Sequence, residues 1–394
     1  MRNETTLPSI LDKTGVTLTE GRATVQFPAA RRNVFYNPRM SINRDIAVLF
    51  ASSYFSSARM LSVCDPMTGS GVRVARYLLE CRNIAHVVAA DKEHDAVELA
   101  KQTVRLNGLE DRVTVISNDA HRVLSEHATD RFDLIDLDPF GSPAPFFECA
   151  LRATAAGGVI AATATDMGPL SGARPTACLR KYGVSAVRTE FEKEIAVRAL
   201  ASCLSTNASR LELGIDIAFS HTTDHYARLY AVVNKDRKMA NQSLSNLGYI
   251  TYCPRCLGRI EARSMSLIQN ACISCGAPTR IGGPFWLGPL WDRRTVESMI
   301  RHIPVLASSR LSEVQKILGT IQEEIDSPRF YFTTDSVASA YGIKPPSIAS
   351  IIESLRDNGH KATRTHFNPT GFRTDASLST VVASFRNLAE KSQP

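Results

Sequence analysis

The residues best suited to chemistry lie in the hexapeptide Asp138-Pro-Phe-Gly-Ser-Pro143, which follows an apolar stretch ending at Leu137. The carboxylate of Asp138 and the backbone carbonyl of Pro139 offer two hydrogen-bond acceptors, which match the two hydrogens of an exocyclic base amine. Such an amine is a poor nucleophile, so an enzyme must hold and aim it. Phe140 would offer a ring on which the base stacks. Alone, Asp-Pro-Phe is more typical of a proline turn; after a strand of a nucleotide-binding sheet, it favours the chemical role.

Further acidic residues and glycines follow the first three predicted strands. The loop that starts at Asp65 and ends at Gly71 would let the backbone approach a ligand closely. Asp91 ends the second strand, where a carboxylate can bind ribose hydroxyls. Asp119 and Ala120 end the third strand, at the depth of an adenine edge. Each could simply cap a helix. Together, and without the three-glycine dinucleotide fingerprint, they predict a nucleoside cofactor that lacks a pyrophosphate.

Four of the nine cysteines occur as two pairs, Cys253 with Cys256 and Cys272 with Cys275, separated by fifteen residues. This spacing predicts a tetrahedral zinc site. Because four thiolates leave no open position, the metal would be structural. The alternative is four free cysteines in paired turns. The other five cysteines are scattered among apolar residues, as is typical of buried thiols in a reducing compartment.

Short β-branched segments alternate with helical ones from residue 60 onward, which predicts an α/β protein with a doubly wound parallel sheet. The predicted strands are 60–64, 86–90, 113–117, 132–137 and 159–164. The predicted helices are 72–81, 93–106, one from Pro143 to a stop at Gly157-Gly158, and one at about 189–205. Residues 211–219 and 226–233 predict an antiparallel hairpin at the sheet edge. That ending is typical of class I methyltransferases, whose sheet is Rossmann-like, and not of dehydrogenases.

Charge divides the chain near residues 234–238. Residues 1–236 contain 27 Lys and Arg and 27 Asp and Glu. Residues 237–394 contain 19 Lys and Arg and 12 Asp and Glu, and this difference accounts for the whole net charge of +7. We therefore predict two domains, 1–236 and 237–394. The second would be a smaller, basic, zinc-bearing α+β domain suited to a polyanion such as RNA. A modest excess of cations could also serve only to keep a protein in solution.

The end of the chain predicts a winged-helix-like part. Residues 335–342 and 345–358 favour two helices, and residues 361–374 favour a β-wing. Docking on nucleic acid would use the cations of the wing, which are Lys361, Arg364, His366 and Arg373. Helix pairs with hairpins also occur as plain scaffolding.

Composition excludes several classes of protein. With 44% apolar and 22% charged residues, the chain is not of disordered composition. No apolar run is long enough to span a bilayer, and the first residues lack a secretory signal. We therefore expect a cytoplasmic protein with no membrane association.

Taken together, the motifs resemble those of the tRNA guanosine-26 N2,N2-dimethyltransferases, from about Gly21 to Ala376. The matching segments are Phe35-Tyr-Asn-Pro38, Asn43-Arg-Asp45, Asp138-Pro-Phe-Gly-Ser-Pro143, Thr165-Asp-Met167 leading to Gly172, and Arg364-Thr-His-Phe367. The resemblance implies an enzyme that uses S-adenosylmethionine to methylate the N2 amine of a tRNA guanosine once or twice. We also expect tRNA as the partner, no obligate protein partner, and a monomer.

The resemblance also implies roles for individual residues. Arg44 would contact the methionine carboxylate of the cofactor. The rest of the cofactor site would be lined by Asp65, Arg73, Asp91, Asp119 and Ala120. Asp138 and Phe140 would hold the flipped guanine, with Phe35 as the opposite stacking face. Two alternatives are an N-methyltransferase for rRNA or a DNA adenine, and a catalytically silent RNA-binding protein. The intact acidic set argues against the silent protein.

Overall fold

A computed structural model describes residues 15–27, 36–55, 59–129 and 131–391. The strands are β1 (Val16–Glu20), β2 (Ala23–Phe27), β3 (Leu61–Asp65), β4 (Ile84–Asp91), β5 (Val113–Ser117), β6 (Phe132–Leu137), β7 (Thr154–Ala164), β8 (Gly214–Thr223), β9 (Tyr226–Asn234), β10 (Leu247–Tyr252), β11 (Arg259–Ala262), β12 (Arg280–Trp286), β13 (Phe332–Thr333), β14 (Ala362–Arg364) and β15 (Gly371–Thr374). The helices are α1 (Ser41–Tyr54), α2 (Val72–Glu80), α3 (His94–Leu106), α4 (Ala120–Glu126), α5 (Phe147–Ala153), α6 (Met167–Leu170), α7 (Pro175–Tyr182), α8 (Glu192–Arg210), α9 (Arg237–Ser245), α10 (Arg293–His302), α11 (Leu311–Glu324), α12 (Thr334–Tyr341), α13 (Ile348–Asp357) and α14 (Leu378–Lys391).

The central sheet has seven strands in the order β5-β4-β3-β6-β7-β9-β8. Strands β3 to β7 run parallel, and their apolar side chains are buried because helices cover the sheet. Strand β9 pairs antiparallel with both β7 and β8. The predicted doubly wound sheet and its edge hairpin are therefore confirmed. The strand order brings the ends of β3, β4 and β6 together at one edge.

Two parts of the sheet half differ from the sequence prediction. Helix α5 ends at Ala153, and Gly157 and Gly158 lie within β7 instead of stopping the helix. A Cβ on Gly158 would lie 3.0 Å from the Asp133 carbonyl oxygen, so glycine suits the close approach of the two strands. The first 58 residues, which have little periodicity, contain the hairpin β1–β2 and helix α1. Residues 42–51 of α1 are buried all round, which explains why the helix shows no amphipathic pattern.

The C-terminal half contains two small antiparallel sheets, β11-β10-β12 and β13-β15-β14. The two helices and the wing predicted near the end of the chain are present as α12, α13 and the pair β14–β15. Among the described residues, no helix combines the length and the apolarity needed to cross a membrane.

Buried ion pairs join the two halves. Glu194 on α8 pairs with Arg198 on the same helix and, 3.0 Å away, with Arg373 on β15. It also accepts a hydrogen bond from the backbone of Phe330 at 3.1 Å. Arg373 pairs in addition with Glu324 at 2.6 Å. Burial would raise the pKa of Glu324, but His366 and Arg373 hold it at about 2.

These contacts correct the assignment of the wing cations. Arg373 is only 2% exposed, because β15 is the central strand of its sheet. The side chain of His366 is buried against Glu324 and hydrogen-bonds with it through Nδ1. Neither residue can therefore reach nucleic acid. Lys361 and Arg364 remain exposed at the wing.

Replacing Arg373 by leucine should lower the free energy of unfolding by about 3–5 kcal/mol, because two buried carboxylates each lose one of their cationic partners. Chemical denaturation measures this change. The exposed Lys361→Ala variant is the control and should shift stability by less than about 0.5 kcal/mol. Equal stability of the two variants would show that the Arg373 ion pairs do not hold the halves together.

Candidate functional site

Asp138 and Phe140 stand where β6 ends, in the middle of the sheet's carboxyl edge. The loop is fixed by a reciprocal pair of hydrogen bonds. The amide of Gly141 donates to Thr165 Oγ1 at 2.8 Å, and the amide of Thr165 donates to the Gly141 carbonyl at 2.9 Å. Phe140 is 82% exposed, which is unusual for a large apolar side chain. The loop thus presents an aromatic ring next to a carboxylate.

Arg73 holds Asp138 from below. Its Nη2 atom donates to Asp138 Oδ2. Its Nη1 atom donates to Asn43 Oδ1 at 3.0 Å and pairs with Asp136 Oδ2 at 3.2 Å. Arg73 is buried, whereas 20% of the Asp138 side chain is exposed. One carboxylate oxygen is therefore anchored while the group still reaches the surface.

A second guanidinium lies deeper, beneath the first. Arg228 on β9 is fully buried and binds Asp136 through Nη1 at 3.0 Å and Nη2 at 2.7 Å. It also donates to Thr163 Oγ1 at 2.6 Å, while the Tyr77 hydroxyl donates to Asp136 at 2.7 Å. Burial alone would raise the pKa of Asp136, but the charges of Arg228 and Arg73 lower it. Asp136 is consequently an ionised, fully paired support.

Asp65 is the carboxylate in surplus. Asp65, Asp136 and Asp138 face only two guanidiniums, those of Arg73 and Arg228. Burial raises the pKa of Asp65 to about 7, repulsion from Asp136 adds to this, and Arg73 opposes it. Asp65 is 2% exposed and accepts one backbone hydrogen bond, from Met67, at 3.4 Å. This end of β3 would therefore favour a cation.

The glycine loop is tied to the end of β4. Asp91 Oδ2 accepts from the Gly69 amide at 3.0 Å, and Oδ1 accepts from the Glu93 amide at 3.0 Å. Gly71 has a φ of +75°, and a Cβ there would lie 3.0 Å from the Ala100 Cα. The Thr68 hydroxyl is buried and has no hydrogen-bond partner within the described part of the chain. A buried hydroxyl without a partner is what a ligand-binding loop would leave open.

Asp119 and Ala120 lie beside Asp91, as expected. Strand ends β4 and β5 are neighbours, and the Asn118 amide donates to the Asp91 carbonyl at 3.1 Å. Asp119 Oδ1 accepts from the His121 amide at 2.8 Å and thereby caps α4. Ala120 is buried at the first position of that helix. The structure thus brings Asp65, Asp91 and Asp119 to one edge.

Arg44 lies on α1 in an ion cluster near the N-terminal hairpin. Its Nε atom donates to Glu20 Oε1 at 2.6 Å, and its Nη2 atom also binds Glu20. The Tyr36 hydroxyl and Arg76 contact the same carboxylate. Burial would raise the pKa of Glu20, but the hydrogen bond and charge of Arg44 hold it at about 2. Phe35 lies outside the described residues.

The four paired cysteines come together. Their sulfur atoms all lie within 4.8 Å of one another, and the distances Cys253–Cys275 and Cys256–Cys272 are both 3.5 Å. Zinc–sulfur bonds of about 2.3 Å in a tetrahedron require sulfur separations of roughly 3.8 Å. The turn after each pair is alike, since Leu257 and Gly276 both have a positive φ. The site is compatible with a structural zinc ion.

Sequence reasoning missed the support beneath Asp138. It gave no role to Arg228, Tyr77, Asn43 or Thr163. One signal was present for Arg228, which interrupts the apolar strand 226–233 with a charge. A charge within a buried strand requires a partner of opposite sign.

The strand order and the acidic edge define a class I methyltransferase that uses S-adenosylmethionine. Residues 15–386 match the family described as N2,N2-dimethylguanosine tRNA methyltransferase. The chain belongs to this family, so the resemblance seen in the sequence is confirmed.

Relatives and a solved structure support the assignment. The tRNA (guanine(26)-N(2))-dimethyltransferase of Methanosphaera stadtmanae is 34% identical over 366 residues, covering 91% of this chain and 93% of the relative. The enzyme of the same name from Pyrococcus horikoshii is 34% identical over 389 residues, covering 94% and 97%. The structure of Trm1 from Pyrococcus horikoshii with S-adenosyl-L-methionine is 33% identical, with a TM-score of 0.85, covering 94% of this chain and 99% of that one.

The raised pKa of Asp65 predicts a pH-dependent stability. The folded chain keeps this proton up to about pH 7, whereas the unfolded chain loses it near about pH 4. The contribution of Asp65 to the free energy of unfolding is therefore fully present below about pH 4, and it is lost as the pH rises to about 7. Between these two pH values, the free energy of unfolding of Asp65→Asn should increase relative to that of the wild type by on the order of 4 kcal/mol. Denaturation at a series of pH values measures the difference. Asp111→Asn, which is exposed, should show no such trend, and a constant Asp65→Asn difference would contradict the argument.

The zinc content of the protein should depend on the four paired cysteines and not on the other cysteines. Elemental analysis of reduced protein should find one zinc ion per chain in the wild type and none in Cys253→Ser/Cys256→Ser. Cys149→Ser, outside the cluster, should keep its zinc. The free energy of zinc binding stabilises the fold of such a segment. Hydrogen exchange of residues 253–279 should therefore accelerate in the double variant. Unchanged zinc content in the double variant would show that these cysteines are not the ligands.

Proposed function

We propose that this chain transfers one or two methyl groups from S-adenosylmethionine to the N2 amine of guanosine 26 in tRNA, with Asp138 as the residue that holds the amine. The observation that carries the proposal is the anchored carboxylate of Asp138, partly exposed next to the ring of Phe140, in a member of this family. The guanosine position comes from the names of the relatives.

The cofactor fits the acidic edge. S-adenosylmethionine supplies a methyl group on a positively charged sulfonium, and the surplus carboxylate of Asp65 provides a complementary field. Asp91 would bind the ribose, and Asp119 with Ala120 would meet the adenine edge. The Thr68 hydroxyl offers a further hydrogen bond that the fold does not use.

Two arginines are assigned to the charged end of the cofactor. Arg44 would contact the methionine carboxylate, and Arg73 would line the cofactor site from below. Both guanidiniums already pair with carboxylates, Arg44 with Glu20 and Arg73 with Asp136 and Asp138. A carboxylate ligand would therefore join an ion cluster that is already in place, which lowers the cost of ordering the side chains.

Asp138 would act on the amine through its second oxygen. Because Oδ2 is bound by Arg73, Oδ1 is the atom that can accept a hydrogen from the guanine NH₂. The Pro139 carbonyl would accept the other hydrogen. Two acceptors orient the nitrogen and favour the geometry in which its lone pair points at the methyl group. Arg73 keeps the carboxylate from turning away.

Phe140 would stabilise the guanine outside its stack. Extruding a base costs a few kcal/mol, whereas stacking on an aromatic ring returns about 1–3 kcal/mol. Phe35 would serve as the opposite face. The ring of Phe140 is 82% exposed at this edge of the sheet.

The remaining assignments concern organisation. We place the methyltransferase domain at residues 1–236 and a tRNA-binding domain with the zinc site at residues 237–394, where the excess of cations lies. Lys361 and Arg364 are its exposed wing cations. Since one chain carries both the acidic edge and the basic domain, we propose a monomer, acting on tRNA in the cytoplasm.

Asp138→Ala should reduce turnover roughly 10²–10⁴-fold, because the side chain acts on the amine in the transition state. The affinity for S-adenosylmethionine and for tRNA should change only a few-fold. The assay combines full-length protein, labelled cofactor and an unmodified tRNA transcript, followed by mapping of the methylated nucleotide. Asp111→Ala, at the opposite edge of the sheet, should match the wild type.

Two outcomes would contradict the proposal, each in a different part. Turnover of Asp138→Ala within a few-fold of wild type would remove Asp138 from its role. Wild-type methylation of a different nucleotide, or of rRNA instead of tRNA, would replace the substrate while leaving the cofactor site intact.

A further inference from the structure

Most of the connection between β7 and α8, residues 167–189, carries cations and no acidic residue. Residues 167–189 contain Arg174, Arg180, Lys181 and Arg188 and no Asp or Glu. All four are exposed. The sheet half as a whole balances 27 cations with 27 acids, so this segment is a local concentration of positive charge in a half that is neutral overall.

The segment is fixed directly to the Asp138 loop. Thr165, which exchanges two hydrogen bonds with Gly141, is followed by Asp166, which binds Lys181 at 2.8 Å and the Tyr182 hydroxyl. These contacts attach α7 to the same edge that presents Phe140. The basic residues therefore keep a fixed position relative to the target site.

Glycine allows the segment to fold back on itself. Gly172 has a φ of +81°, and a Cβ there would lie 2.3 Å from the carbonyl carbon of Val187. The backbone of Arg188 is therefore packed against the start of the segment. Arg174 lies along the backbone of Gly168, whose added Cβ would be 3.8 Å from the Arg174 Cδ. One end of the segment thus brings Arg174 close to Gly168, and the other end packs the backbone of Arg188 against Gly172.

None of the three arginines of this segment has a counter-charge among the described residues, and two of them, Arg174 and Arg180, lie near the two ends of α7. Arg174 and Arg180 form no ion pair with any carboxylate of the described residues. By contrast, Arg122 pairs with Glu126 and Arg152 pairs with Glu148, in each case within one helical turn. An exposed guanidinium without a carboxylate is available for a phosphate, which it can bind with two parallel hydrogen bonds.

We infer that residues 167–189 form a phosphate-binding surface for the tRNA backbone on either side of the target guanosine. The inference rests on the proposed function, because a guanine held at Phe140 and Asp138 brings its own flanking phosphates to this edge. Helix α7 is about 12 Å long, so cations at its two ends can contact different phosphates. Such contacts set the position of the nucleotide without reading its sequence. The tRNA is then held by both halves of the chain.

The test is the salt dependence of tRNA binding. Full-length Arg174→Gln/Arg180→Gln should bind an unmodified tRNA transcript with a slope of log K against log salt that is smaller by about 1.4–1.8, for two lost phosphate contacts. When the salt concentration is raised from roughly 50 to 200 mM, the dissociation constants of the wild type and of the variant both increase. The factor of increase should be about ten times smaller for the variant than for the wild type. The value of kcat/KM at low salt should fall accordingly, with the affinity for S-adenosylmethionine unchanged.

Arg82→Gln/Arg105→Gln is the matched control, since both residues are exposed arginines at the opposite edge of the sheet. It should keep the wild-type slope. Identical slopes for the two double variants would overturn the inference and assign residues 167–189 only to general surface charge. Because binding is measured without turnover, this result is distinct from a failure of the proposed function, which would appear as wild-type protein that does not methylate guanosine 26.

Discussion

In the proposed reaction, Asp138 has to be exposed to meet the guanine and yet fixed in orientation, and the ion pairs beneath it satisfy both requirements. Arg73 binds one of its oxygens and also binds Asp136, which is clamped in turn by Arg228 at 2.7 Å. Both deeper charges are fully buried, so each is stable only because the other is present. The strands β6 and β9 and the helices α1 and α2 each contribute one member. The arrangement therefore requires the complete sheet.

The same group of charges explains why this edge suits a cationic cofactor. Two guanidiniums cannot neutralise three carboxylates, and the remaining carboxylate, Asp65, is buried at the end of β3. Its raised pKa expresses that imbalance. A positively charged sulfonium compound would relieve it. The raised pKa of Asp65 predicts that the same feature lowers the stability of the free protein as the pH rises to neutral.

Buried ion pairs connect the two halves of the chain. Glu194 on the long helix α8 is bound to Arg373 from the wing sheet, so the basic C-terminal half cannot rotate freely against the acidic edge. Charge on the surface is shared as well, because the cations of α7 stand beside the catalytic loop and those of the wing stand on the other half. In the proposed reaction, a tRNA held by both halves would be positioned relative to Asp138.

The sequence by itself determined the alternation of strands and helices, the acidic strand ends, the paired cysteines and the family, because each of these depends on residues close together in the chain. Short-range spacing predicted Asp91, Asp138 and the four cysteines. The tertiary structure alone decided which charges are paired and buried. Arg373 seemed an exposed wing residue, yet it is a core residue since β15 is a central strand. Arg228 showed no function until β9 was placed beside β7. Charge pairing between distant segments depends on the packing of the whole sheet, and no local pattern encodes it.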